Sequence, residues 1–173
     1  MAAVDVADLD SLPADAFIAA AAPWFEGAPR FLARLATARP FRDESTLFGR
    51  AAEIAEAMPE DEQLELIDAH PRLGAPPASV SPASFREQGY DRETTAAIAD
   101  LDRLNAEYEA RFGFRFCVFV KGRSRPDLVP VLESALREDR DAEIRRALAD
   151  VVAIARDRFQ RQSGIESHRG VVA

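Results

Sequence analysis

Apolar residues recur every three or four positions along most of this chain, the spacing that places them on one face of an α-helix. In "DESTLFGRAAEIAEAM" the apolar stripe consists of Leu47, Ala51, Ile54, Ala55 and Met58. A long final helix is expected from about Asp141 to Gln162, with a stripe formed by Ile144, Leu148, Val151, Val152, Ala155 and Phe159. The pattern predicts a mostly helical protein.

Prolines predict where several of these helices begin or end. "DAFIAAAAPWF" opens after Pro13, and "PRFLARLATA" begins with Pro29 at a first helical position, where a missing N–H costs nothing. Pro59 predicts a stop and a restart, with acidic residues in the next first turn, where the helix dipole favours them. A shorter helix over "RPDLVPVLESALRE" is expected to start at Arg125-Pro126.

One segment breaks the helical pattern. The run "FGFRFCVFV", residues 112–120, is aromatic and β-branched and has strand propensity, but no second strand is available to pair with it. It follows a predicted helix whose stripe comprises Ile98, Leu101, Asn105 and Tyr108. We interpret it as a buried extended segment whose backbone groups serve neighbours or a ligand. The predicted fold is all-α: a single-domain compact helical bundle with one extended segment, over residues 1–162, followed by a flexible tail over 163–173.

Composition excludes several classes of protein. The net charge is −8, and arginines alternate with acidic residues instead of clustering, so a nucleic-acid partner is not expected. No apolar run approaches the roughly 18 residues of a membrane span, and the acidic N-terminus does not resemble a secretory signal. The single cysteine, Cys117, cannot form an internal disulfide. These features predict a cytoplasmic location.

His70 is the first candidate for chemistry, because it stands at a His-Pro step after "ELIDA". Pro71 disfavours helical conformation at His70, so the helix should end there with the imidazole at its C-terminal edge. The alternative is a structural histidine stabilised by the helix dipole or packed beneath a loop.

A second candidate is the short helix that Ser81 and Pro82 should begin. Ser84, Glu87 and Gln88 then share one face at spacings of three and four residues, and together they could hold a small polar heterocycle. The alternative is a short solvated helix.

Arg158 lies on an otherwise apolar row with Ala147, Val151 and Ile154. It either extends its guanidinium to the surface from the edge of the core or reaches into a cleft to pair with an anion. Cys117 is predicted to be a buried inert thiol. No cluster of ligands at metal-binding spacing accompanies His70 or the other histidine, His168, so no metal site is predicted.

The order of "AHPRLG", "SPASFREQ", "LNAEYEARFGFRFCVFVKGRS" and "REDRDAEIRRALADVVAIARDRF" resembles the OHCU decarboxylase family. The resemblance extends from about Phe17 to Phe159. It implies an enzyme, a carboxy-lyase that decarboxylates 2-oxo-4-hydroxy-4-carboxy-5-ureidoimidazoline (OHCU) to (S)-allantoin in urate degradation. Where many members of the family read Phe-Gly-Phe-Pro-Phe, this chain reads "FGFRF".

The resemblance also implies roles for individual residues. His70 would be the catalytic acid or base, supported by Glu87, which would orient it or hold the ring hydroxyl. The residues implied to bind substrate are Pro71, Ser84, Phe85, Arg86, Glu87, Gln88, Phe116, Cys117, Val118, Phe119, Val120 and Arg158. Of these, Arg158 would meet an anionic or carbonyl oxygen of the substrate.

The resemblance further implies that no cofactor is needed, because the substrate's own ring C=N can accept the electron pair left by carbon dioxide. Family members are commonly homodimers, and the partners implied are OHCU and (S)-allantoin. We expect a rate that depends on a group titrating near pH 6–7. Two alternatives remain: a related helical enzyme that hydrolyses another cyclic ureide, and a non-catalytic helical binding module.

Overall fold

A computed structural model of the chain describes residues 5–75, 80–88 and 95–164. The described residues form nine helices and no strand. The helices are α1 (Val6–Ser11), α2 (Ala14–Ala21), α3 (Pro29–Thr37), α4 (Glu44–Ala57), α5 (Glu60–Asp68), α6 (Pro82–Glu87), α7 (Thr95–Phe112), α8 (Arg125–Ala135) and α9 (Arg140–Gln162). The all-α prediction is confirmed, and α1 is the helix that periodicity did not predict.

Side-chain caps explain why several helices begin where they do. The Asp43 carboxylate accepts a hydrogen bond from the Thr46 N–H at 2.7 Å and so caps α4. Ser81 caps α6 through the Ser84 N–H at 3.1 Å, with Pro82 at the first helical position, as the sequence predicted. Ser124 and Asp127 form a reciprocal capping box at the start of α8.

The long helix α9 packs against α4 and α5, while α7 packs against α8 and α3 against α2 and α4. All six apolar residues predicted for the α9 stripe are buried. In the α4 stripe Leu47, Ala51, Ala55 and Met58 are buried and Ile54 is partly buried. The Ile98 side chain lies outside the described residues. None of the helices in the described ranges has the length and apolar character needed to span a membrane.

Residues 115–120 form neither helix nor strand, yet most of them are buried. The segment starts after α7, where Gly113 adopts a φ of 81°, a left-handed conformation that glycine takes without steric cost. The ring of Phe116 packs edge-on to Tyr108, with a centroid separation of 5.2 Å. The segment therefore passes through the helical bundle as a fixed part of its core. The predicted C-terminal tail lies outside the described residues from position 165 onward.

Candidate active site

A cavity of about 370 Å³ lies where the C-terminal end of α5, helix α6, residues 116–120 and α9 meet. Eleven of the residues assigned from sequence line it: His70, Pro71, Ser84, Arg86, Glu87, Gln88, Phe116, Cys117, Val118, Phe119 and Val120. Arg158 lines it as well. We call His70, Ser84, Glu87 and Arg158 the side-chain wall and residues 116–120 the backbone wall.

Phe85 is the one assigned residue that does not line the cavity. It is 37% exposed on α6. The reason is helical geometry: Ser84, Glu87 and Gln88 share a face, while Phe85 follows Ser84 by one residue and so points about 100° away from it.

His70 follows the end of α5, which stops at Asp68 with Ala69 as its C-cap, two residues before the boundary that the sequence predicted. The residue is 4% exposed, and Nδ1 lies 3.3 Å from the Leu66 carbonyl oxygen. A carbonyl oxygen can only accept, so a neutral imidazole in this position carries its proton on Nδ1 and its lone pair on Nε2. Nε2 is buried without a hydrogen-bond partner among the described residues.

The imidazole is neutral at physiological pH. Burial, together with the positive charge of Arg158, lowers the pKa of His70 from 6.5 to about 4. The expectation of a His70 titration near pH 6–7 is therefore wrong for the ligand-free protein, because sequence could not show that the ring is enclosed. An unprotonated Nε2 in a cavity wall is suited to accept a proton from a bound ligand.

Glu87 binds Arg158, and His70 is not among its hydrogen-bond partners. The Arg158 Nε and Nη2 atoms donate to the two Glu87 carboxylate oxygens at 2.8 and 2.9 Å, a bidentate pair. Arg158 Nη1 donates to the Pro23 carbonyl at 3.0 Å and, at 3.4 Å, to that of Trp24. The guanidinium is thus held from several sides, and its side chain is only 6% exposed.

Glu26 is a site residue that the sequence analysis missed. Its Oε1 atom accepts from Arg158 Nη2 at 2.9 Å, from Ser84 Oγ at 2.7 Å and from Ser81 Oγ at 2.9 Å. Burial opposes the charge, but Arg158 and the two serine hydroxyls outweigh it and lower the pKa of the Glu26 carboxyl. It lies in the turn before α3 with a φ of 52°, where helical periodicity gives no signal. The Glu-Gly pair that follows Trp-Phe was the available clue.

Polar contacts fix the loop that carries His70 and Pro71. The Gln88 side chain accepts from the Gly74 N–H at 2.7 Å and donates to the Arg72 carbonyl at 3.3 Å. Arg115 ties the start of the backbone wall to the same loop: its N–H donates to the Asp68 carboxylate and its guanidinium to the Asp68 carbonyl, both at 2.8 Å. A proline at this position would lack that N–H.

Two arginines from outside the segment hold carbonyl groups of the backbone wall. Arg123 donates to the carbonyls of Phe119 and Val120 at 2.7 and 3.0 Å, and Arg146 donates to that of Cys117 at 2.9 Å. In contrast, no hydrogen bond to another described residue uses the N–H or C=O of Val118. Burial raises the pKa of the Cys117 thiol to about 12, which agrees with the predicted inert thiol.

The cavity lining is strongly basic although the whole chain carries a net charge of −8. Among the described residues, the basic side chains that line it are Arg86, Lys121, Arg123, Arg125, Arg158 and Arg161. Glu87 is the acidic one. Sequence reasoning assigned Arg86 and Arg158 and missed the others: Lys121, Arg123 and Arg125 belong to a segment without regular spacing, and Arg161 lies in the last turn of α9. A cavity of this character favours an anionic ligand.

Residues 10–160 match the sequence model of the OHCU decarboxylase family. The uric acid degradation bifunctional protein PucL of Bacillus subtilis (strain 168) is 35% identical over 138 residues, which are 78% of this chain and 28% of that protein. The 2-oxo-4-hydroxy-4-carboxy-5-ureidoimidazoline decarboxylase of Haloferax volcanii is 29% identical over 150 residues, covering 85% of this chain and 89% of that one. The matched residues span less than a third of the PucL protein and of the uric acid degradation bifunctional protein of Bacillus sp. (strain TB-90), 28% and 31% of their lengths.

Solved structures resemble the fold, and two of them illustrate the likeness. A crystal structure of OHCU decarboxylase in the presence of (S)-allantoin matches with a TM-score of 0.67 at 20% identity, covering 80% of this chain and 93% of that chain. A crystal structure of (S)-allantoin synthase matches with a TM-score of 0.68 at 22% identity, covering 92% of this chain and 54% of that chain. At these identities the likeness establishes a shared helical architecture.

Proposed function

Because the chain belongs to the OHCU decarboxylase family, we propose that it decarboxylates OHCU to (S)-allantoin in urate breakdown. The observation that carries this proposal is the buried Nε2 of His70, which lacks a protein partner in the described residues and lines a basic cavity. At about 370 Å³ the cavity falls in the range of small-molecule sites, and a bicarbonate-sized or macromolecular ligand would fit it poorly.

The chemistry follows from the groups on OHCU. The carboxylate is attached to a ring carbon that also bears a hydroxyl and is adjacent to a ring C=N. When that carbon–carboxylate bond breaks, carbon dioxide leaves and the electron pair forms a new ring C=C, while the former imine nitrogen takes up one proton from solvent. The product of this step is an enol, and the substrate itself has supplied the electron sink.

His70 completes the reaction as a single acid and base. Its Nε2 lone pair accepts the enol hydroxyl proton and returns it to the adjacent carbon that bears the ureido group, so one O–H bond is replaced by one C–H bond. Delivery from one side of the ring yields one enantiomer. The low pKa of His70 supports this role, because the imidazole is unprotonated when substrate arrives and the imidazolium that forms is acidic enough to return its proton readily.

The backbone wall supplies hydrogen bonds to the ring and ureido amides. The N–H and C=O of Val118 have no partner among the described residues, and amides present complementary acceptors and donors. Val118 borders the cavity beside Cys117 and Phe119. This arrangement supports the assignment of residues 116–120 to substrate binding.

Electrostatics support an anionic substrate. Six basic side chains line the cavity against one carboxylate, so the field at its mouth attracts the OHCU carboxylate and excess solvent anions alike. Direct contact between Arg158 and a substrate oxygen requires one existing bond to be exchanged, since every N–H of its guanidinium faces a protein oxygen. The 3.4 Å bond to the Trp24 carbonyl is the longest and the least costly to give up.

We also propose a cytoplasmic homodimer, as the resemblance implied. The free Cys117, which is buried and unpaired with any other cysteine, supports a reducing compartment. Light scattering of the purified chain at several concentrations tests the dimer, and a constant monomer mass would contradict it.

The proposed reaction is tested by generating OHCU in the cuvette from urate with a urate oxidase and the hydrolase that follows it, then following circular dichroism. We expect a rapid rise in the signal of (S)-allantoin after this protein is added. Slow formation of racemic product, at the rate seen without the protein, would overturn the proposal.

Two further measurements distinguish the decarboxylase from the alternative functions. A cyclic-ureide hydrolase would consume its substrate without releasing carbon dioxide, whereas a non-catalytic module would bind (S)-allantoin in a calorimeter without accelerating its formation. Dialysis against a strong chelator should leave the rate unchanged, because the substrate supplies the electron sink. A rate restored only by added metal would contradict the proposed cofactor independence.

A further inference from the structure

Arg146 on α9 holds the backbone wall from the side that faces away from the cavity. Its Nη1 atom donates to the Cys117 carbonyl at 2.9 Å, and its guanidinium carbon lies 4.9 Å from the centre of the Phe116 ring. Arg146 does not line the cavity, and neither the family resemblance nor the sequence pattern assigned it a role. It contacts two successive residues of the wall.

Acidic residues one turn away on the same helix hold Arg146 in place. Its Nε and Nη2 atoms donate to the Glu143 carboxylate at 3.0 and 2.9 Å, and its Nη1 donates to Asp150 at 2.8 Å. Glu143 is 1% exposed and also accepts from the Tyr108 hydroxyl at 2.7 Å. The pairs at i−3 and i+4 fix the guanidinium along the helix axis.

Asp150 makes a second contact with the same wall. The backbone of Phe119 lies close enough to the Asp150 carboxylate to favour its charged form, although burial raises the pKa of this carboxyl. Arg146 therefore holds the wall at the Cys117 carbonyl, and its partner Asp150 lies near the backbone of Phe119, on the other side of Val118. This leaves the Val118 backbone held between two anchored neighbours.

We propose that Arg146 is a positioning residue for the decarboxylation, which orients the backbone groups of residues 117–119 toward the substrate through its bonds to Cys117 and Asp150. The inference rests on the proposed function for its catalytic consequence, but the anchoring itself has a separate readout. A planar guanidinium is required, because it reaches Glu143, Asp150 and the Cys117 carbonyl at once while covering the Phe116 ring. A lysine offers one point charge and cannot reach all of them.

Cys117 provides the separate readout because it is the chain's single cysteine and is 5% exposed. An aromatic disulfide reagent reacts when the Cys117 thiolate attacks one sulfur, forming a mixed disulfide and releasing a coloured aryl thiolate. In the wild type the reaction should be slow. In Arg146→Lys it should be about tenfold faster or more, the factor expected when a charge-assisted hydrogen bond that closes a segment is lost.

The matched control is Arg145→Ala, which removes an exposed arginine from the neighbouring position of α9. Its Cys117 rate should equal that of the wild type. Arg146→Lys keeps a positive charge between Glu143 and Asp150, so the fold should persist. Arg146→Ala would leave both carboxylates without a cation and is therefore the less suitable variant. A Lys variant that does not fold, or one with the wild-type Cys117 rate, would overturn the proposal.

Measurements of activity and of ligand binding test the catalytic part of the proposal. For Arg146→Lys we expect the Kd of (S)-allantoin and the KM for OHCU to rise about tenfold, while kcat falls less, since the wall binds the amides and His70 moves the proton. Unchanged KM and Kd in a variant with faster Cys117 modification would contradict the catalytic part. If the wild type neither decarboxylates OHCU nor binds (S)-allantoin, the proposed function fails, while the Cys117 rates still decide whether Arg146 anchors the wall.

Discussion

The two walls of the cavity are built in opposite ways. In the side-chain wall, His70, Ser84, Glu87 and Arg158 present their own functional groups. Ser84, Glu87 and Arg158 are held by one another and by Glu26, while His70 Nδ1 faces the Leu66 carbonyl oxygen. In the backbone wall, the peptide groups are held by side chains that come from outside the segment, since Arg123 and Arg146 donate to the carbonyls of Phe119 and Cys117. The side-chain wall carries the groups proposed to react, and the backbone wall is proposed to position the substrate.

This difference predicts which substitutions should impair the site. Replacing a residue of the side-chain wall removes a reacting or charge-balancing group, so the effect should be large and specific. The identity of a residue in the backbone wall matters less than its anchoring, because every non-proline residue offers the same N–H and C=O. Damage there should come from the anchors, above all Arg115, Arg123 and Arg146.

The largest effect should come from His70→Asn. Asparagine keeps hydrogen-bonding capacity but cannot exchange a proton near neutral pH, so kcat should fall by about 10²–10⁴-fold, the usual contribution of general acid–base catalysis. Binding of (S)-allantoin, measured by calorimetry, should survive, because the backbone wall is intact. His168→Asn, the change to the chain's other histidine, serves as the control. A folded His70→Asn protein with the wild-type rate would remove His70 from the mechanism.

Next in size is the stability loss expected for Arg158→Ala. It leaves the carboxylates of Glu26 and Glu87, only 13% and 15% exposed, without their cation. Removing one member of a buried ion pair costs about 3–5 kcal/mol, so the urea midpoint should drop sharply.

Arg156→Ala is the matched control on the same helix. Arg156 pairs with Glu44 at 2.6 Å, but its side chain is 48% exposed, so its loss should cost no more than about 1 kcal/mol. Equal urea midpoints for the two variants would show that Arg158 does not stabilise the fold as a buried ion pair. The side-chain wall would then depend, like the backbone wall, on residues outside it.

A smaller loss of stability is expected when the pH is lowered, because His70 titrates differently in the folded and unfolded chain. The pKa of His70 is about 4 in the folded protein against 6.5 as the ordinary value, so between these pH values the unfolded chain binds a proton that the folded protein excludes. Stability should therefore fall as pH decreases below 6.5, by about 1.4 kcal/mol per pH unit from this group, and level off below about 4. The measurement is the difference in unfolding free energy between wild type and His70→Asn across this range. Parallel curves would mean that His70 titrates normally.

Much of the side-chain wall could be predicted from sequence because its members sit on helices. Spacing placed Ser84, Glu87 and Gln88 on one face and Arg158 on an apolar row, and the structure brings them to one cavity. Glu26 could not be predicted, because it lies in a turn and meets Arg158 across 132 residues of chain. Phe85 shows the limit of the motif, since it lies within the same short helix but faces away from the cavity.

The backbone wall was predicted only in outline. Strand propensity without a partner strand indicated a buried non-helical segment, and residues 115–120 are one. The sequence could not show which carbonyl oxygens of this segment accept hydrogen bonds. Their donors are Arg123, which lies in a turn, and Arg146, which lies on a distant helix. No local pattern distinguishes Arg146 from its exposed neighbour Arg145.

The sequence by itself determined the helical class, most helix boundaries, and the residue types that can carry the proposed chemistry, because helix periodicity, capping and proline effects act over a few residues. The tertiary structure decided which charges meet, how far the pKa of His70 falls, and which backbone groups remain for a ligand. The physical reason is that burial and long-range pairing depend on where α9 lies against α5, α6 and the backbone wall, and local spacing does not specify those distances.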